Sequence, residues 1–284
     1  MIKLDANIQN ELLNKRYGEY SIPEEILWNE QIESLLNHKT VRNFLPEPLA
    51  EGTIQTMVAA AQSASNSSNL NQWSVIAITD NELKAKIAET SREGSKFGMG
   101  NPYIEQAPVL LLWVADMHRN KKMSEAQGFE SVVLNSIDAV LMSAIDTSIA
   151  AQNAVVAAES LDLGVVYLGA MRNNAKRISD LLNLPDYTYI VFGMLVGKPD
   201  PNKEHSIRPR LSQKAVLHFN GYDNNIWESE VDAYEGEFQK FRKENNMKKK
   251  TWKESIHFST GNMDYMDGRE KFRAYLEDRG LKAL

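Results

Sequence analysis

The longest apolar stretch of the chain, residues 139–158, holds seven alanines, yet it also carries Asp146, Gln152 and Asn153. A membrane span needs about 20 predominantly apolar residues, and these three polar groups argue against one. Small residues on several faces let neighbouring helices approach closely. The stretch therefore reads as a core or subunit-interface helix, and its pattern extends it to residues 129–160. Such a helix needs apolar layers to pack on. Residues 73–79 (WSVIAIT), 164–169 (GVVYLG) and 189–197 (YIVFGMLVG) read as strands. The unbroken apolar run 109–115 (VLLLWVA) reads as a central strand covered on both faces. Helices are predicted over residues 1–37, with a break near Ser21-Ile22-Pro23, and over 49–64. Further helices are predicted after the capping Asp80, over 173–183, and in the charged tail. Regular βαβ alternation is lacking, so the expected class is α+β.

Composition narrows the functional classes. The 284 residues carry 32 Lys+Arg against 38 Asp+Glu, a net charge of −6. A general nucleic-acid binder usually carries a basic excess. Cysteine is absent, which excludes a disulfide framework, a thiolate metal site and a cysteine nucleophile. The N-terminus lacks the apolar core of a signal peptide, and the expected location is the cytoplasm. The composition shifts beyond Gly221: residues 223–237 hold six acids and no base, whereas 240–253 hold seven bases and one acid.

Four stretches carry candidate chemistry. His38-Lys39-Thr40-Val41-Arg42 places three potential cations and a hydroxyl within five residues, and alternate residues of an extended chain face one way. Such groups suit a phosphate or a developing anion; a solvated basic turn fits the spacing too. Residues 63–72 (SASNSSNLNQ) offer uncharged hydrogen-bonding groups suited to a heteroaromatic edge or a polyol, or form a plain polar connector. Residues 164–174 end a strand on glycine, which lets backbone amides reach a ligand. The same stretch fits a strand-to-helix turn capped by Asn173 or Asn174. Arg208-Pro209-Arg210 holds two guanidinium groups on an extended chain, suited to a dianion or to an exposed basic loop. The five histidines show no metal-ligand spacing, and neither a Walker loop, nor GxGxxG, nor G-x-S-x-G occurs. These absences favour a cofactor-dependent enzyme over one that uses its own side chains.

Taken in order, HKTVRNF, SASNSSNLNQWSVI, AAQNAVVAAESLDLGVVYLGAMRNN, NLP, FGMLVGKPD and RPRLSQKAVLHFNGY resemble the FMN-dependent nitroreductase family. The nearest branch resembles its NADPH-dependent flavin oxidoreductases. The resemblance implies a central, mostly antiparallel sheet wrapped by helices, in an intertwined homodimer whose main interface helix is the alanine-rich one. It divides the chain into an N-terminal helical extension (1–37), an FMN-binding core (38–222) and a C-terminal helical excursion (223–284). It also implies roles for single residues. His38, Lys39, Arg208 and Arg210 would take the FMN phosphate, Thr40 the ribityl chain, and Arg42 the N1/O2 edge of the ring. Asn66, Ser67, Asn71 and Asn101 would hydrogen-bond the cofactor, and Tyr167, Leu168, Gly169 and Ala170 would line its other side. Lys243, Lys248 and Lys249 would meet the phosphate of NADPH. Asn71 and Asn101 stand where the family has glutamine, Ala170 replaces the second glycine of a pair, and Arg208 replaces lysine.

The activity so implied is ping-pong transfer of hydride from NAD(P)H through FMN to nitroaromatics, quinones or free flavin, with no metal and no nucleic-acid or membrane partner. An FMN enzyme acting on azo dyes, chromate or a disulfide is the nearest alternative. A non-catalytic protein whose basic tail binds an anionic partner is the remote one.

Overall fold

The computed structural model describes residues 6–19, 21–23, 25–93, 95–97 and 102–284. In chain order its elements are α1 (Ala6–Tyr17), α2 (Glu30–Leu36), α3 (Thr53–Gln62), β1 (Trp73–Ile78), α4 (Asn81–Arg92), α5 (Tyr103–Gln106) and β2 (Val109–Asp116). There follow α6 (His118–Ala126), α7 (Ile137–Ser160), β3 (Gly164–Leu168), α8 (Ala175–Leu181) and β4 (Thr188–Gly197). The tail adds α9 (Trp227–Glu244), α10 (Trp252–Gly261) and α11 (Phe272–Asp278). The described residues divide into two compact units. One draws on Met1–Thr40 and Glu204–Tyr265, the other on Val41–Lys203 and Met266–Leu284.

The larger unit is built on a four-stranded sheet in the order β1-β2-β4-β3, antiparallel throughout. Every residue of β2 is buried, and alternation sorts its side chains to the two faces. Val109, Leu111 and Trp113 pack with Met57 and Ala61 of α3 and with Ala150, Ala151, Ala154 and Ala158 of α7. Leu110 and Leu112 pack on the opposite face with Ile87 and Ala88 of α4, Ile104 of α5 and Ile178 of α8. An apolar run without alternation is the outcome of covering both faces, here in an antiparallel sheet. Among the described residues α7 is the one helix long and apolar enough to cross a membrane, and half of its most apolar window is buried inside the chain.

Several boundaries differ from the sequence expectation. The alanine-rich helix starts at Ile137 rather than 129, because Ser136 caps it by accepting the Ala139 N–H at 3.2 Å. A separate 3-10 turn, Val132–Asn135, precedes it, and Gly128 turns the chain at φ +77°. The predicted helix 173–183 is shortened to α8, preceded by a 3-10 turn over Gly169–Arg172. Asn174 stands at its N-cap position, as expected, but its side chain makes no capping bond, and neither does that of Asn173. Their side-chain amides donate instead to Asp267 at 2.9 Å and to the Thr90 carbonyl at 3.3 Å. The polar stretch 117–128, given no element from sequence, contains α6.

The C-terminal α11 closes the end of this unit. The hydroxyls of Tyr275 and Ser179 lie 2.7 Å apart, and the Ile137 N–H donates to the Leu284 carbonyl at 3.0 Å. Tyr189 of β4 reaches α7, with its hydroxyl 3.0 Å from Ser143 Oγ and bonded to the Val140 carbonyl. Burial pushes the Tyr189 phenol up to about 12 from its ordinary 10.0. The folded chain therefore holds this proton more tightly than the unfolded one. Its share of stability is intact below pH 10 and is lost as pH rises towards 12. Tyr189→Phe is expected to lower neutral-pH stability by about 1 kcal/mol and to flatten the alkaline limb of a denaturant-midpoint titration.

Candidate functional site

Arg42 belongs to a short extended run pinned on both sides within the larger unit. Val41 is 2% exposed and donates its N–H to the Val165 carbonyl at 2.9 Å. Phe44 is buried and bridges Pro199, while the Leu45 N–H bonds the Lys198 carbonyl and the Asp200 N–H bonds the Asn43 carbonyl. The approach depends on glycine: a Cβ at Gly164 would lie 2.6 Å from Val41 Cβ, and one at Gly197 would lie 3.0 Å from the Phe44 ring. With Val41 and Phe44 turned inward, Arg42 is left exposed alongside β3.

β3 carries the next candidates. Tyr167 is partly exposed, sets its edge against Phe192 at 5.0 Å between centroids, and donates its hydroxyl to Gln152 at 3.4 Å. Desolvation raises its pKa well above the ordinary phenol value, so it acts as a neutral group. Leu168 points into the core, which leaves its backbone for any ligand. Gly169 and Ala170 form the following 3-10 turn and are half-buried.

The polar stretch after α3 folds into a strained, heavily tethered loop. Ser68, Asn69 and Asn71 take φ of 50°, 55° and 51°, a region that asparagine tolerates better than most residues. Asn66 accepts the Asn71 N–H at 3.2 Å, and the Asn71 side chain donates to the Asn69 carbonyl at 2.9 Å. Arg119 of α6 donates to the carbonyls of Asn71 and Trp73 at 2.8 and 2.9 Å, to Ser74 Oγ at 2.9 Å and to Asp116 at 2.6 Å. Asn120 holds the Leu70 carbonyl at 3.0 Å. Asp146, one of the polar residues within the alanine-rich helix, is 2% exposed, and its Oδ1 accepts the Ser67 N–H at 2.9 Å. Its Oδ2 is buried without a partner among the described residues. Of the neighbouring amides, Asn71 faces outward and Gln72 is buried. Asn101 lies outside the described residues.

The remaining candidates belong to the smaller unit. His38, Lys39 and Thr40 are half-buried, and Arg208 and Arg210 are exposed. The Arg208 guanidinium lies over the Phe241 ring at 5.7 Å, and the Tyr234 hydroxyl donates to the Pro209 carbonyl at 3.2 Å. Lys39, Ile207 and Pro209 line a cavity of about 500 Å³ together with residues of α1 and α9. A second cavity of about 340 Å³ gathers Lys243 and Lys249 with Lys240, Arg242 and Lys250. Lys248 is not on its wall; its carbonyl accepts from Arg242, whose guanidinium lies 5.5 Å from the Phe238 ring. Arg242 was visible in sequence only as one base of the run 240–253.

Residues 35–198 match the family described as "Nitroreductase family", and residues 208–283 match "Nitroreductase family, C-terminal domain". The chain belongs to the nitroreductase family. Among curated relatives, this nitroreductase is 35% identical over 240 residues to an NADPH-dependent oxidoreductase of Staphylococcus epidermidis, covering 83% of this chain and 92% of that one. It is 35% identical over 258 residues to a Bacillus subtilis protein named as an FMN reductase of the NAD(P)H type, covering 89% and 98%. Among solved structures, a hypothetical oxidoreductase of Bacillus subtilis, YcnD, superposes with a TM-score of 0.82 at 34% identity, over 90% of this chain and 99% of that one. In this nitroreductase α1 and the start of α2 lie ahead of the matched residues.

Proposed function

We propose that the chain is an FMN-dependent NAD(P)H oxidoreductase that reduces nitroaromatic, quinone or flavin acceptors. One observation carries the reading. The candidate residues divide into a cationic set suited to a dianionic phosphate and a set of uncharged amides with a single guanidinium suited to a heteroaromatic edge. FMN, when bound, would supply the redox chemistry that links NAD(P)H to an acceptor. The chain's own residues bind and orient. His38, Lys39, Arg208 and Arg210 hold the phosphate, and Thr40 holds the ribityl chain. The tethered loop of Asn66, Ser67 and Asn71 presents short donors and acceptors to the cofactor, joined by Asn101. Tyr167, Leu168, Gly169 and Ala170 line the opposite side, Leu168 through its backbone. Arg42 fixes a positive charge beside the pyrimidine edge, where anionic charge gathers on reduction. Titrating apoprotein with FMN and following its fluorescence tests this directly: stoichiometric uptake per chain supports the reading, and no uptake overturns it. Steady-state assays over nitroaromatics, quinones, flavin, azo dyes and chromate then rank the acceptors.

NADPH is the proposed donor, with Lys243, Lys248 and Lys249 meeting the phosphate that distinguishes it from NADH. Changing Lys243 and Lys249 to glutamate is expected to raise the NADPH KM about tenfold and to leave the NADH KM within about twofold. Equal KM values for NADPH in variant and wild type would make the basic run a solvated face.

Nitroreductases are typically dimeric, and we place a second copy of this chain against α7. Ile137, Leu141, Ile145 and Ile149 recur every four residues along it and are exposed, one apolar stripe of the kind that an interface covers. Light scattering should return twice the chain mass of 32.1 kDa. The cytoplasm, where the nicotinamide donors are supplied, is the proposed location.

A further inference from the structure

We propose that Arg16, at the end of α1, is a positioning residue for the flavin phosphate: it fastens together the two separate backbone stretches whose side chains clamp that group. The inference rests on the FMN reading above. Arg16 is 6% exposed. Its guanidinium donates to the carbonyls of Leu36 and His38, both at 2.8 Å, and to the carbonyl of Arg208 at 3.0 Å. The exchange is reciprocal, because the Arg210 N–H donates to the Arg16 carbonyl at 2.7 Å. One planar fork thus ties residues 36–38 to residues 208–210, some 170 positions apart in sequence, and does so at the residues that bear the phosphate ligands.

The arrangement has a physical use. His38, Lys39, Arg208 and Arg210 are drawn from two distant stretches, so a fastening of their backbones that does not depend on the ligand would hold the set in place before a dianion arrives. A guanidinium suits that task, since it offers five donors in fixed directions and stays charged. Lysine offers a point charge on a flexible stem and cannot reproduce the fork. The α1 backbone is itself seated closely: Gly18, which follows the helix at φ +74°, approaches Glu237 so nearly that a Cβ would lie 2.2 Å from its carboxyl carbon. α1, which supplies Arg16, lies ahead of the family-matched residues 35–198.

The test compares FMN with riboflavin, which has the same ring and no phosphate. Arg16→Met and Arg16→Lys apoproteins are titrated with each by fluorescence quenching. Both variants are expected to bind FMN about tenfold or more weakly and riboflavin within about twofold of wild type. If Arg16→Met does not fold, Arg16→Lys decides. A third measurement needs no variant. In wild-type protein, FMN should slow hydrogen exchange across α1 and riboflavin should not. Equal FMN affinity in wild type and variants, parallel losses for FMN and riboflavin, or α1 exchange indifferent to FMN would each overturn the inference. A wild-type chain that takes up no FMN overturns the functional reading instead.

Discussion

Replacing Arg42 with alanine is expected to slow NADPH-driven reduction of the bound cofactor about 100-fold or more while the protein still binds FMN through its phosphate. Among the described residues the Arg42 side chain makes no hydrogen bond or ion pair. Val41 and Phe44 anchor the backbone on either side through buried side chains and through bonds to Val165 and Pro199. Truncation at Arg42 therefore removes a charge without moving the chain. A fixed guanidinium beside the ring matters more once the pyrimidine edge has become anionic than before, so its loss raises the barrier rather than weakening the resting complex. Arg42→Lys should recover part of the rate, because it restores the charge without the planar fork. Rapid-mixing reduction kinetics at saturating NADPH, set beside an FMN titration, separates the two effects. A variant that loses FMN and rate in proportion would assign Arg42 to binding alone.

Gly164→Val is expected to be the most destabilising single substitution near the site, at about 3 kcal/mol or more. The glycine hydrogen faces Val41, and a Cβ there would lie 2.6 to 2.7 Å from all three branch carbons of that side chain. Neither partner can give way easily. Gly164 is paired with Gly197 in the sheet, and Val41 is held by its bond to Val165. The strain would push the 41–45 run off β3 and carry Arg42 with it, so activity should fall along with stability. Val41→Ala should rescue much of both, and the double-mutant cycle measures the coupling. Additive losses in denaturant midpoints would show that the close approach is unimportant.

Elements whose information is local were legible in the sequence. The run 109–115 announced β2, because a strand covered on both faces has no reason to alternate. Asp80 announced α4, and its Oδ1 accepts the Leu83 N–H at 2.7 Å. What the residue pattern could not disclose are side chains that bond to distant backbone. Arg16 serves carbonyls of residues 36, 38 and 208; Arg119 serves the polar loop some 45 positions away; and Asp146 holds the Ser67 amide from the middle of an alanine-rich helix. A carbonyl carries no residue identity, so no motif encodes such a bond. The start of α7 differs from the sequence expectation for a related reason: residues 129–136 are apolar enough to continue the helix, and the Ser136 cap and the preceding 3-10 turn set its start. The candidate residues themselves came from ordered resemblance; their separate stretches left functional and structural readings open.

Electron transfer through the chain is tested most directly by an anaerobic titration of FMN-loaded protein with NADPH. The yellow colour should bleach stoichiometrically and return when a quinone or nitroaromatic is added. Protein that holds FMN but keeps its colour in the presence of both NADPH and NADH would contradict such transfer.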